Sequence, residues 1–314
     1  MNQIVEWNCI NSKMTSFSII ITSHNQAQFI REAVESALAQ TYRSREVIVV
    51  DDGSSDASLV VLEEFSDAIQ LVKLEQNVGA CRARNAGVSR AKGDFLVFLD
   101  GDDLLLPWAL SLYNEIVDRK QPNIILSRMR WFEQEAPAVS CETTPTQVEV
   151  VDYETLLNKD RSYRASASAF VIRRDAFVQV QGWPTEIFPL EDLAVLLKLC
   201  QSGRTVQILA PVTVCYRIHA ANTVHQLAAC IGALRFIVGK ERQGNYPHGR
   251  GSRGKRYAFL GGPVLFWMKR AWKGGLYREG LRLFVSGWPM IFAAGIHQVL
   301  LLFKGRREAQ VMPL

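Results

Sequence analysis

Short, unbroken apolar runs alternate along the first third of the chain with stretches whose apolar positions recur at helical spacing. "FSIIITSH" is such a run, β-branched and bounded by polar residues, and predicts a strand buried on both faces. "AQFIREAVESALAQ" follows, with Phe29, Ile30, Ala33, Val34, Ala37 and Leu38 on one helical face. The alternation continues through "EVIVVDDGSSD" (strand), "SLVVLEEFS" (helix), "IQLVKLEQN" (strand) and "GACRARNAGVSRA" (a short helix opening after Gly79). "DFLVFLD" reads as a fourth strand, and "PWALSLYNEIVDRK" as a helix with Pro107 early in its first turn. Beyond Lys120 the pattern loosens: "NIILSRMRWF" reads as one strand, and "SASAFVIRRDAFVQVQGW" as strand, turn and short helix. "LEDLAVLLKLC" is helical, with Glu191 and Asp192 in its first turn. Strands separated by helices need crossover connections, so the pattern predicts an α/β chain with a Rossmann-like, mostly parallel sheet flanked by helices.

Ligands of such sheets bind at the carboxyl ends of the strands. Three predicted strands end there in polar residues: Thr22-Ser23-His24, Asp51-Asp52-Gly53 and Asp100-Gly101-Asp102-Asp103. "DDGS" is strong turn chemistry, so Asp51 and Asp52 have an ordinary turn or capping role open to them. The trio Asp100, Asp102 and Asp103 is harder to explain as a cap, because a cap needs one carboxylate. Three acids beside an apolar run call for positive charge. A Mg²⁺ or Mn²⁺ ion that takes one or two carboxylates plus substrate phosphates would supply it.

The segments "SIIITSHNQAQFIREAVESALAQTYRSREVIVVDDGSSD" and "NVGACRARNAGVSRAKGDFLVFLDGDD" closely resemble the family-2 nucleotide-sugar glycosyltransferases of the A-type fold. The resemblance runs in order from about Phe17 to about Asn222. It implies that Thr22 and Asp52 lie at the nucleotide base, and that Asp100 and Asp102 form a D-x-D pair at the ribose and at a metal bridging the diphosphate. Asp103 would support that pair, and Arg84 and Asn85 would line the nucleotide pocket. His24 stands where the family often has Tyr, so a stacking role there stays open. Glu191-Asp192 matches the family's "ED" motif, whose Asp is the catalytic base. Taken alone, the same pair reads as routine first-turn acids complementing a helix dipole. "VCYRIHAANTV" resembles the late segment near the diphosphate or metal, which nominates His219 as a metal ligand and Arg217 as its support. The implied reaction is an inverting displacement: an acceptor hydroxyl loses its proton to Asp192 as a nucleotide diphosphate, UDP in the first instance, departs.

Composition refines this picture. The chain is 314 residues long, 48% hydrophobic and 21% charged, enough for a large core. The N-terminus carries no secretory-signal pattern, and the six cysteines show no zinc spacing, so a cytoplasmic setting is expected. Net charge is uneven. Residues 240–314 hold 14 Lys+Arg against 3 Asp+Glu, a balance of +11, which leaves −6 for the rest. The expected organisation is an N-terminal extension (1–16), a transferase domain (17–240, with a nucleotide-sugar half to 120 and an acceptor half from 121), and a basic linker with C-terminal helices (241–314). Three placements fit those helices: lying on an anionic lipid surface, covering the domain or a dimer contact, or spanning a bilayer. Their embedded tryptophans argue against nucleic acid as the partner of this charge. The expected acceptor is a carbohydrate or a lipid-linked sugar, used in cell-surface polysaccharide or glycolipid synthesis at the inner face of the membrane. Two alternatives remain: a nucleotidyltransferase, although "SIIITSHNQ" lacks the glycine-rich basic loop for a triphosphate, and a catalytically inactive nucleotide-sugar-binding protein docked on a membrane. His225, His248 and His297 fall in no pattern.

Overall fold

The computed structural model describes residues 14–134, 146–158, 166–199, 203–246 and 252–304. Most of the expected N-terminal extension, the linker stretch 247–251 with His248, and Cys9, Cys141 and Cys200 lie outside the described residues. The first elements are β1 (Phe17–Ser23), α1 (Ile30–Leu38), β2 (Arg45–Asp51), α2 (Ser58–Glu63), β3 (Gln70–Lys73), α3 (Ala80–Val88) and β4 (Phe95–Asp100). Next come β5 (Leu104–Leu105), α4 (Ala109–Lys120), β6 (Ile124–Leu126), β7 (Met129–Phe132), β8 (Gln147–Val151) and α5 (Tyr153–Asn158). β9 (Phe170–Arg173), α6 (Arg174–Gln179), α7 (Glu191–Leu199), β10 (Thr205–Ala210) and β11 (Val214–Arg217) complete the sheets. The helices α8 (Leu227–Gln243), α9 (Arg253–Lys273) and α10 (Tyr277–Lys304) follow.

Eight strands form one sheet in the order β3-β2-β1-β4-β9-β6-β10-β8. β1 pairs parallel with β2 and β4, β2 parallel with β3, and β6 parallel with β10, while β9 and β8 run antiparallel to their neighbours. The α/β architecture with a mostly parallel, helix-flanked sheet is as expected. Alternation along β1 divides the core: Ile20, with Ile48 and Phe98, packs toward one helical layer, and Ile19 and Ile21, with Val49 and Val97, pack toward the other. Both faces are covered, which explains why the strands read as unbroken apolar runs. Each such side chain contributes roughly 1.5–3 kcal/mol of burial.

The parallel register sets Thr22 beside Asp100, and Ser23 beside Asp51, at one sheet edge. Helix α3 approaches that edge closely because of Gly87: a β-carbon there would stand 2.5 Å from Ile20 Cγ2. A second, small sheet, ordered β5-β11-β7, caps the edge. "NIILSRMRWF" is therefore two strands, not one. β6 stays in the large sheet, the chain turns at Ser127-Arg128, and β7 joins the small one beside β11.

The C-terminal helices share the main core. Leu260, Val264, Trp267, Met268, Ala271, Leu283 and Met290 belong to the same cluster as α7 and α8. The expected boundary at 240/241 falls inside α8, and Glu241 of α8 makes a fully buried 2.7 Å ion pair with Arg256 of α9. Among the described residues, no helix is long and apolar enough to cross a membrane, so the spanning placement has no support in α10. That helix does carry an exposed stripe (Tyr277, Leu281, Phe284, Val285, Trp288, Phe292 and Ile296), with Trp288 54% and Phe292 64% accessible.

Candidate active site

The strand edge opens into one cavity of about 1120 Å³. Thr22, His24, Asp52, Arg84, Asp100, Asp102, Glu191, Asp192 and His219 all line it, although they come from six separate segments. The topology gathers them: β1, β2 and β4 end side by side, β11 delivers its last residues from the small sheet, and α7 begins on the far wall. Leu190 takes φ 79°, left-handed and costly for a side chain of its kind, just before Glu191 and Asp192.

Asp52 carries its ordinary role within the site. Its two carboxylate oxygens accept the N–H groups of Val78 and Gly79 at 2.8 and 2.9 Å, which fixes the entry to α3. His24 Nδ1 bonds the Asp52 carbonyl at 2.8 Å and holds the ring at the cavity mouth.

The acid trio is answered group by group. Arg84, buried on α3, donates to Asp100 at 2.7 Å and to Glu191 at 2.6 Å, and its guanidinium lies 5.1 Å from the Trp183 ring. Burial opposes the Arg84 charge, but Asp100 and Glu191 outweigh it and hold the guanidinium more firmly protonated than usual. Asp103 is fully buried; it accepts Ser168 Oγ at 2.6 Å and the Arg217 N–H at 3.0 Å. Burial, then the charges of Asp102 and Asp100, push its carboxyl well above the ordinary range. Asp102 faces no guanidinium; its Oδ2 lies 2.7 Å from His219 Nε2. Burial and Asp100 raise its pKa against the pull of His219. Much of the positive charge called for by the sequence is thus Arg84, from within the protein.

Arg217 and Asn85 both stand off the cavity. The Arg217 guanidinium is sandwiched between the Phe29 and Phe132 rings, 4.9 and 4.5 Å from their centroids, and pairs with Glu32 at 2.6 Å. Its Nε donates to the Asp102 carbonyl, so it braces the aspartate loop from behind and does not line the cavity. Asn85 does not reach the cavity either. Its amide donates to the Trp183 carbonyl and accepts the Trp183 N–H, both at 2.9 Å, so it pins a loop. The reason is helical geometry: on α3, Arg84 and Asn85 are 100° apart, and only one can face the edge.

Asp192 is half-buried, and its Oδ1 accepts the Leu193 N–H at 2.8 Å. Burial, then the adjacent Glu191 charge, push its carboxyl up to about 7. A carboxyl titrating there, facing a cavity, suits proton abstraction near neutral pH.

Several contributors escaped the sequence reading. Ser168 ties two of the acids together, donating to Asp103 while accepting the Asp100 N–H at 3.0 Å. Phe29 stacks on His219, with ring centroids 4.8 Å apart. The small residues of "SASA" ahead of a strand were the available signal for Ser168; nothing local marks Phe29.

The helix-flanked sheet with an acidic carboxyl edge matches the α/β architecture of the A-type glycosyltransferases. A sequence profile described as Glycosyl transferase family 2 matches residues 18–179, and the chain belongs to that family. An uncharacterized glycosyltransferase of Haemophilus influenzae is 30% identical over 201 residues, covering 63% of this chain and 67% of that protein. The UDP-Glc:alpha-D-GlcNAc-diphosphoundecaprenol beta-1,3-glucosyltransferase WfaP of Escherichia coli is 29% identical over 230 residues, 71% of this chain and 87% of WfaP. Among solved structures, Staphylococcus aureus TarS 1–349 in complex with UDP-GlcNAc superposes with a TM-score of 0.71 at 20% identity, covering 88% of this chain and 81% of that one. That likeness carries the fold.

Proposed function

We propose that this transferase moves a sugar, with inversion, from a UDP-sugar to a hydroxyl of a lipid-linked glycan during cell-surface glycan or glycolipid synthesis. The observation that carries the reading is Asp192: a half-buried carboxyl poised at about 7 on the same cavity as Thr22, Asp52, Asp100 and Asp102. In its ionised form Asp192 takes the proton of the acceptor hydroxyl as that oxygen bonds the anomeric carbon, and the bond from that carbon to the diphosphate oxygen breaks on the opposite face, so a single displacement inverts the centre and the nucleotide diphosphate leaves. Arg84 holds Asp100 and Glu191 in place, so the donor's ribose meets a fixed carboxylate and Asp192 sits at a fixed helix start. UDP as the leaving group draws on the activity of WfaP and on the UDP-GlcNAc bound by TarS.

Among the described residues no three His, Cys, Asp or Glu side chains form a complete metal site. Asp102 and His219 nevertheless fit a divalent ion shared with a diphosphate: Asp100 is paired with Arg84, Asp103 is buried behind the cavity wall on Ser168 and the Arg217 N–H, and Asp102 lines the cavity with His219. A bound Mn²⁺ or Mg²⁺ would supply charge stabilisation to the departing diphosphate. His219, held by Phe29 and by Asn222, whose Oδ1 accepts the His219 N–H at 2.6 Å, keeps its ring on Asp102.

The α10 stripe is read as resting on an anionic membrane surface, with Lys273, Arg278 and Arg282 supplying the charge complement. This suits an acceptor carried in the lipid.

Calorimetric titration of the protein with UDP, with and without Mn²⁺, tests the donor site. The expected result is metal-enhanced UDP binding that weakens at least tenfold in Asp102→Ala. Binding that ignores both the metal and Asp102 would remove the role given to this residue.

A further inference from the structure

The cavity exceeds one donor's needs. Ordinary ligand pockets hold roughly 300–1,000 Å³; this one, at about 1120 Å³, runs on past Asp192 along α9. Phe259, Gly262, Pro263, Phe266 and Arg270 line the extension at three- and four-residue spacing, one helix face over about 17 Å of axis. The Arg270 end lies next to the catalytic wall. Cys230 of α8 lines the cavity together with Arg270, Glu191 and Asp192. Close by, Gly274 packs on Leu227 at the start of α8. At the far end α10 contributes His297, whose buried Nε2 has no hydrogen-bond partner and which lines the cavity. Arg270 forms no ion pair with a described carboxylate and lies 5.1 Å from the Trp267 ring centroid. The order is therefore a base, a cation that rests on the Phe266 and Trp267 rings with no described carboxylate partner, then an apolar trough.

We propose that the α9–α10 wall is the acceptor's lipid subsite, taking an isoprenoid diphosphate, with Arg270 meeting the diphosphate and Phe266, Pro263, Gly262 and Phe259 the isoprenoid chain. It rests on the reading of a lipid-linked acceptor at Asp192. The sequence of groups along the cavity matches that of such a molecule: reactive hydroxyl on a sugar, then diphosphate, then chain. A guanidinium suits phosphate oxygens, and the trough matches an apolar chain that water excludes. Continuity with the donor edge lets both substrates occupy one space.

Gly262 supplies a clean test. A β-carbon built there meets nothing within 4 Å, and the residue sits inside α9, so a larger side chain fills the trough without a clash and improves helix propensity. The full-length protein, saturated with UDP, is titrated with geranylgeranyl diphosphate, geranylgeraniol and inorganic diphosphate. Wild type is expected to prefer geranylgeranyl diphosphate at least tenfold over either part. Gly262→Trp and Arg270→Gln should each weaken it at least tenfold, while UDP affinity in Gly262→Trp stays unchanged. Unaltered geranylgeranyl diphosphate affinity in both variants, or inorganic diphosphate binding as tightly as the intact molecule, overturns the proposal. Failure of wild type to bind UDP overturns the donor reading instead, and the lipid arms are then read without UDP.

Discussion

Arg84 is the residue on which the site's electrostatics converge. It is the buried partner of Asp100 and of Glu191, so removing it strands two carboxylates in low dielectric. Arg84→Met should cost about 3–5 kcal/mol of stability; a urea midpoint equal to wild type would refute the pairing. Asp192 obeys the opposite sign. Its folded pKa of about 7 lies above the ordinary carboxylate value, so the native state holds a proton that the unfolded chain releases. Stability from this group is full at low pH and is lost as pH rises through 7. Asp192→Asn should therefore raise Tm by a few degrees at pH 8 and leave it unchanged near pH 4. The same carboxyl must be ionised to act, so turnover should climb with pH through about 7, and a flat profile there would count against it as the base. At Gly53, φ is 64° and an added β-carbon would stand 2.4 Å from the Gln76 carbonyl carbon, so Gly53→Ala should lose about 1–3 kcal/mol by thermal melting. The acids of the strand edge were legible from sequence because strand ends and carboxylates both leave local marks. The Arg84–Glu191 pair was not, since it joins positions 107 apart and depends on how α3 and α7 meet. Asn85 was misread for the same reason: sequence adjacency to Arg84 does not reveal which side of α3 faces the cavity.

Elements differ in how openly they declare themselves. β1, β2 and β4, buried on both faces, each carry an unbroken apolar signal, and α1 and α4 carry the helical period. β6 and β7 follow one another so closely that they read as one strand, yet they serve different sheets, because pairing partners and not local pattern decide where a strand belongs. α10 is the element whose purpose is least visible in its composition. Its charge-free stretch in sequence invites a spanning reading, yet the helix is not apolar enough to cross a membrane and is amphipathic in place, with its inner side packed on α9 through the tight contact of Gly261 with Met290 and Ala294. Its outer stripe predicts that the protein co-sediments with vesicles containing phosphatidylglycerol but not with phosphatidylcholine alone, and that added salt weakens the binding. Trp288→Glu with Phe292→Glu should abolish co-sedimentation without changing UDP affinity. Equal binding to both vesicle types would contradict the membrane reading of this helix.

At the scale of the whole molecule, one cavity joins what the sequence divides. The nucleotide edge comes from the first third of the chain, Asp192 from its middle, and the trough from its last quarter. Rigidity is shared as well, since α9 and α10 belong to the same core as the sheet. The C-terminal helices are thus part of the catalytic body, and truncation before α9 should disturb its stability along with acceptor handling. The central claim is that Asp192 is the base of a sugar transfer from a UDP-sugar. Its most direct test compares wild type with Asp192→Asn in two assays, UDP binding by calorimetry and transfer of labelled sugar from UDP-sugars to a bacterial lipid extract. UDP affinity within about threefold of wild type, together with a loss of transfer of at least a hundredfold, is the predicted result. Transfer retained at the wild-type rate in a variant that still binds UDP would contradict the account.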